Sequence, residues 1–294
     1  MLFNYTQGQK IFNIFNLIFL TLTSVICLVP FVHILAVSFS EDSAITGGLV
    51  SLWPVRFTLD SYMYVIEKDA FWRAFVVTLK RVAMGTTLNV FLVILLAYPL
   101  SKSKEKFRTR SIYVWFFFFT MLFSGGLIPS YILISKLGLM NTIWALVLPG
   151  AVTVFNIILM LNFFREVPEE IEDAANIDGA NHWRTLWQIY VPLSTPAIAT
   201  ITLFCIVGHW NSWFDGLIYM SNSENYPLQS YLQTIVVKIN SVTTSATEQI
   251  RLAKLNDRSI RGAQMVVASV PILIVYPFLQ KYFVSGIRLG SVKG

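Results

Sequence analysis

Charge is what this sequence has least of. Asp, Glu, Lys and Arg make up 13% of its 294 residues, where a soluble domain carries about a quarter. That scarcity excludes an ordinary water-solvated globular surface. Cysteine is almost missing too. Cys27 and Cys205 both fall inside apolar runs, so a disulfide framework or cysteine zinc site is excluded and both read as packing residues. The three histidines, His33, His182 and His209, are scattered, and no H-E-x-x-H occurs. No serine nucleophile motif sits beside a candidate base, which leaves an intramembrane hydrolase without machinery. No G-x-x-x-x-G-K-[ST] is present, so the chain does not cradle nucleotide phosphates in the P-loop manner. The net charge of +6 forms no continuous basic face with aromatic platforms, which argues against nucleic-acid binding.

Long apolar runs are what the sequence does have. It is 55% hydrophobic and 15% aromatic, with 23 Phe, and its mean hydropathy is +0.62. This composition specifies a polytopic, all-α membrane protein. A first span is expected over 11–38, longer than the roughly 7–15 residues of a signal-peptide core, with Pro30 expected to bend it. The polar stretch 40–69 is expected to hold a small amphipathic helix around 59–66. A second span follows over 74–100. Lys80 and Arg81 lie near its start, where long side chains can reach an interface or face the bundle interior, and a snorkelling or packing role is preferred for both.

Lys102, Lys104, Lys106, Arg108 and Arg110 crowd one short loop, the strongest positive-inside signal in the chain. It puts that loop in the cytoplasm. The later Arg251, Lys254, Arg258 and Arg261 fall on the other side, within a longer external segment, 221–261, of the kind that escapes the rule. A third span starts near Ile112 and is loosened by Ser124, Gly125, Gly126 and Pro129. A fourth covers 142–163, a fifth 194–220 and a sixth 262–283, with Pro271 and Pro277 inside the last. The tail, 286–294, is short and basic. Six spans put both termini in the cytoplasm and leave one transmembrane domain, 1–294, with no linker to a second.

The least membrane-like stretch near these spans is EEIEDAANIDGANHWRTLWQIYVP, residues 169–192. Pro168 followed by Glu169, Glu170, Glu172 and Asp173 suits a helix start, since carboxylates complement its positive end. Gly179 interrupts the pattern, Asn181 can cap a second helix, and Pro192 is expected to end it. Ile171, Ala174, Ala175 and Ile177 are the expected small apolar contacts. Glu172-Asp173-Ala174-Ala175, Asp178-Gly179-Ala180 and the distant Ile189-Tyr190-Val191-Pro192 resemble the EAA loop of ABC-importer permease subunits. Asp173 departs from the Glu or Ala of many relatives but keeps the charge. Ala97-Tyr98-Pro99-Leu100-Ser101, Ile143-Trp144-Ala145-Leu146 with Pro149, and Asn162-Phe163-Phe164 also look familial. Phe123 to Pro129 and Gly290 to Gly294 resemble a subgroup associated with complex-oligosaccharide uptake in bacteria.

The resemblance implies a six-helix fold of the type I importer kind, in the bacterial cytoplasmic membrane. It implies a second homologous permease subunit, two cytoplasmic P-loop ATPases and an extracytoplasmic solute-binding protein. ATP and Mg would sit on the ATPases, with no cofactor on this chain, which would not itself be an enzyme. The loop 165–192 would couple to the ATPase through Glu169, Glu172, Asp173, Ala174, Ala175, Asp178, Gly179 and Ala180. Glu172 and Asp173 would fix it against the ATPase or cap the helix pair.

In the fifth span, Trp210, Asn211, Trp213 and Asp215 combine rings that stack on sugars with groups that reach hydroxyls. They are the candidate substrate path, although Trp at an interface is also an ordinary belt residue. An ion-coupled secondary transporter would want further acids inside the spans, and Asp215 is the one acid near a span interior. A receptor or scaffold would bind the same partners without solute accumulation. A non-sugar cargo within the importer class also fits the sequence.

Overall fold

The structure, a computed structural model, describes residues 6–239 and 257–290. The described secondary structure is helical apart from one isolated bridge, Ser40 to Phe57. Two compact units divide the chain, one of residues 1–69 and 234–269, the other of residues 70–233 and 270–294.

The first unit begins with α1 (Gln7–Ser38), which a capping box starts: the Thr6 hydroxyl accepts from the Gln9 amide while Gln9 accepts from the Thr6 amide. Thr23 and Ser24 donate to the carbonyls of Phe19 and Leu20, each at 2.8 Å, which hides their hydroxyls from lipid. The helix continues through Pro30 as one element. Within this unit follow α2 (Asp42–Thr46) and α3 (Asp60–Ile66), the latter matching the small helix expected near 59–66. Phe39 stacks on Phe57 and Tyr62, with centroids 5.4 and 4.7 Å apart. The Ser38 hydroxyl lies 2.7 Å from the Tyr62 hydroxyl, and Ser61 donates to Ser259 at 2.9 Å in a buried position.

The second unit is built on α4 (Asp69–Ser101), 33 residues and so about 50 Å long. Its companions are α5 (Arg110–Leu122), α6 (Leu127–Lys136), α7 (Ile143–Val147) and α8 (Val154–Arg165). Then come α9 (Glu169–Ile177), α10 (His182–Thr185), α11 (Val191–Leu193), α12 (Thr195–Asn211) and α13 (Phe214–Tyr219). Val93, Ala97, Ile157, Met160, Phe164 and Ile201 form part of its buried core. The last helices, α14 (Leu228–Ile239) and α15 (Asp257–Gly290), run through the boundary between units.

Among the described residues, three helices are long and apolar enough to cross a membrane, or up to six if each bent pair is one span. The pair α5 and α6 bends by 110° where Gly126, at φ +87°, takes a backbone conformation that a side chain disfavours. This is the break expected at Ser124 to Gly126. Two expectations need correction. The fifth span is not one helix over 194–220, because Ser212 is extended and separates α12 from α13. The segment 221–261 carries α14, and α15 starts at Asp257 rather than Gly262. Of the tail, residues 291–294 lie outside the described residues, as do Arg251 and Lys254.

Candidate functional site

The helix pair expected in 169–192 forms, and its joint is a Schellman motif. The Ala180 amide donates to Ala175 at 2.9 Å and the Gly179 amide to Asn176 at 3.1 Å. Gly179 itself sits at φ +75° with open space around it. Backbone conformation, and not crowding, therefore demands glycine there. The Asn181 side chain accepts from the Arg184 amide at 2.9 Å and caps the second helix. Pro192 marks the end of that helix to within one residue. The helix passes through a π-helical turn, Leu186–Tyr190, and stops at Leu193, before the chain bends by 82° into α12.

Which faces of α9 turn inward is now explicit. Ala175 is buried, whereas Ile171, Ala174 and Ile177 are exposed, Ile177 at 87%. Three of the four expected small apolar contacts are therefore exposed, Ile171 in part and Ile177 almost fully. Glu169, Asp173, Asp178 and Gly179 are exposed as well, and Ala180 is half-buried.

Glu172 points the other way. Its carboxylate accepts from Lys102 at 2.9 Å and from the Tyr190 hydroxyl at 2.7 Å, with Lys106 3.8 Å away. The Lys102 ammonium lies 4.0 and 4.1 Å from the ring centroids of Tyr98 and Tyr190, a cation–π arrangement that keeps a buried ammonium satisfied. Burial works against the Glu172 charge. Its hydrogen bonds from Lys102 and Tyr190 and the charges of Lys102 and Lys106 outweigh burial and hold its carboxyl below the usual range. Burial of Lys102 favours its neutral form, so the acid-side pH dependence of the pair belongs to Glu172. In this chain Glu172 anchors the loop to the end of α4. Sequence reading gave Lys102 a topology role; its place one residue past α4 and four past Tyr98 was the available signal.

The second constellation is a cavity of about 650 Å³. Arg81, Asn89, Asn156, His209, Ser212 and Asp215 supply much of its polar lining, and Phe155, Phe204 and Tyr219 supply rings. Of the four residues singled out in the fifth span, Asp215 lines it and the other three do not. Trp210 is buried against Phe75, with centroids 6.1 Å apart; Trp213 packs on Phe214; and Asn211 is exposed.

Arg81 does not snorkel. It is 3% exposed and forms a bidentate pair with Asp215, one arm at 3.1 Å. It also reaches the carbonyls of Leu146 and Ser212, each at 3.4 Å. Lys80, its neighbour, is exposed as expected. Ser212 and the Gly216 amide donate to Asp215 at 3.0 and 2.9 Å. These bonds explain why the helix breaks at Ser212: the carboxylate captures a local hydroxyl and amide just where α12 stops.

His209 and Asn89 join α12 to α4, 3.2 Å apart, and Asn89 donates onward to the Gly150 carbonyl at 2.9 Å. Gly85 makes room for this ring, since a Cβ there would stand 2.5 Å from His209 Cε1 and overlap Nε2. Gly85→Ala is expected to destabilise the protein by about 1–3 kcal/mol, the usual range for overpacking. Thermal unfolding in mild detergent would read it as a lowered Tm, and pairing it with His209→Ala should recover part of the loss.

The comparisons with known proteins agree with this geometry. The family model described as binding-protein-dependent transport system inner membrane component matches residues 5–289. Protein LplC of Bacillus subtilis (strain 168) is 39% identical, over 98% of this chain and 97% of its own. The polygalacturonan/rhamnogalacturonan transport system permease protein YtcP of the same organism is 37% identical, over 97% of this chain and 99% of its own. Among solved structures, a chain of a bacterial ABC transporter involved in import of the acidic polysaccharide alginate is 33% identical. It superposes with a TM-score of 0.84 over 95% of this chain and 99% of that one. The chain belongs to the family of binding-protein-dependent transport system inner membrane components, the permease subunits of ABC importers.

Proposed function

We propose that this chain is one of two permease subunits of a bacterial importer for oligosaccharides, with the cavity around Asn89, His209 and Asp215 on the cargo path. Six spans cross the cytoplasmic membrane, with both termini inside. The loop 165–192 projects into the cytoplasm and receives a P-loop ATPase, which holds the ATP and Mg. A second homologous permease completes the path, and a solute-binding protein delivers cargo outside. Alternating access then needs a rigid element between ATPase and spans that has two positions. The observation that carries this reading is the loop's division of labour: Glu172 is locked to α4 while Ile171, Asp173 and Ile177 remain exposed. Oligosaccharide cargo is supported by the printed roles of YtcP and the alginate importer. An ion-coupled mechanism loses support because Asp215, the acid it would use, is engaged by Arg81.

Affinity purification of the tagged chain from its own membrane in mild detergent tests the reading. A P-loop ATPase, a second permease and a secreted binding protein should co-purify, and binding-protein-stimulated ATP hydrolysis should follow reconstitution. A subunit that comes out alone and accumulates solute in vesicles without ATP would overturn it.

A further inference from the structure

At the end of the second unit that carries the basic loop, a pocket of about 220 Å³ opens where α4, α5, α8 and α9 meet. Ser101, Ser103, Lys106, Arg110, Arg165 and Glu169 are among its lining residues. Lys102 and Glu172 also border it, but they satisfy each other. Lys106 pairs with Glu172 and Asp173 at 3.8 and 3.7 Å, which leaves Arg110 and Arg165 with Glu169 as the further carboxylate in the lining.

The two arginines are incompletely used. Arg110 donates from one terminal nitrogen to the Lys102 carbonyl at 3.1 Å, and its buried Nε has no partner among the described residues. Arg165 lines the same pocket as Arg110 and makes no hydrogen bond or ion pair among the described residues. Holding two guanidinium groups together in a partly dry pocket is unfavourable, and an anion between them removes that cost. The planar fork of each matches phosphate oxygens, and Ser103 adds a hydroxyl that no side chain or carbonyl among the described residues engages.

The position narrows the anion further. Arg110 opens α5 and Arg165 closes α8, both at span ends, where lipid headgroups lie. Basic pockets between helices at a membrane surface are a recurrent way of holding anionic headgroups. We propose that this pocket binds the phosphate of an anionic phospholipid. The lipid bridges α5 and α8 beside the first residue of α9, and so stiffens the base of the loop. This goes beyond the importer reading and does not depend on the cargo.

Native mass spectrometry of the full chain, titrated with phosphatidylglycerol or phosphatidylcholine in mild detergent, tests it. Phosphatidylglycerol should bind several-fold more tightly than phosphatidylcholine. Arg165→Gln and Ser103→Asp should each weaken it roughly five- to tenfold, while Lys136→Gln, on a residue outside the pocket, leaves it unchanged. Arg165 is exposed and makes no bond among the described residues, so its loss does not threaten folding. Equal binding of the two lipids, or an unchanged Arg165→Gln, would overturn the proposal. So would complete displacement of phosphatidylglycerol by millimolar inorganic phosphate, which would make this a site for a free anion.

Discussion

Glu172→Gln is expected to release the helix pair from the end of α4 and to cut ATPase coupling at least tenfold. The amide can still accept from Tyr190, but it leaves the Lys102 ammonium without its carboxylate between two aromatic rings. Breaking a buried pair by removing one partner costs about 3–5 kcal/mol. The side chains of Lys102 and Glu172 are 9% and 5% exposed, so little of that cost is returned by solvation. It falls on a short two-helix element rather than on the apolar core, and local detachment precedes global unfolding. The measurement is binding-protein-stimulated ATP hydrolysis in the reconstituted complex, beside the amount of ATPase that co-purifies. Unchanged values for both would remove Glu172 from the coupling path.

The same pair gives the loop a pH dependence whose direction is fixed. The folded-state carboxyl of Glu172 titrates below its ordinary value of 4.5. Its contribution is therefore complete above that value and is lost as pH falls through the lower, folded one. Anchoring should weaken on acidification below about pH 4.5, and Glu172→Gln should flatten that limb while lowering stability at neutral pH. Hydrogen exchange of the α9 amides across that range would resolve the two profiles.

Local signals made the loop readable in the sequence. Pro168, the acids of the first turn, Gly179 and Asn181 each act within four residues, so the helix–joint–helix outline follows from the chain itself. Which acid turns inward does not, because that is decided by Lys102, 70 residues earlier. Glu172 and Asp173 are neighbours of equal charge, about 100° apart on the helix, and only one meets Lys102 and Tyr190. Lys80 and Arg81 pose the same problem in α4. A helix apolar on nearly every side has no phase to read, so the sequence could not say which cation faces the bundle. Trp210, Asn211, Trp213 and Asp215 are close in sequence and read as one candidate path. In the fold Asp215 lines the cavity and also bonds Ser212 at the helix break, Trp210 packs against Phe75, and Asn211 is exposed. Gly85 escaped notice because its reason, the His209 ring, arrives more than a hundred residues later.

Arg81→Met is the second change with a large expected effect, because Arg81 ties three elements at once. It pairs with Asp215 at the start of α13, reaches Ser212 at the end of α12, and reaches Leu146 in α7. Its removal leaves the half-buried Asp215 carboxylate with only Ser212 and the Gly216 amide as donors, which costs about 3 kcal/mol, the lower end for a broken buried pair. Asp215→Asn should cost less, since the amide oxygen can still accept from the guanidinium. The double variant Arg81→Met, Asp215→Leu separates scaffold from path. Two apolar side chains of similar volume commonly restore the stability that a broken buried pair loses, so its Tm should return to within a few degrees of the parent. Uptake should not return, because the cavity would then lack its charged lining while Asn89 and His209 still hold α4 to α12. Both quantities can be read on one preparation, thermal unfolding before reconstitution and oligosaccharide uptake after it. Recovery of both would make the pair a brace with no part in transport. Recovery of stability alone would place Arg81 and Asp215 on the route the cargo takes.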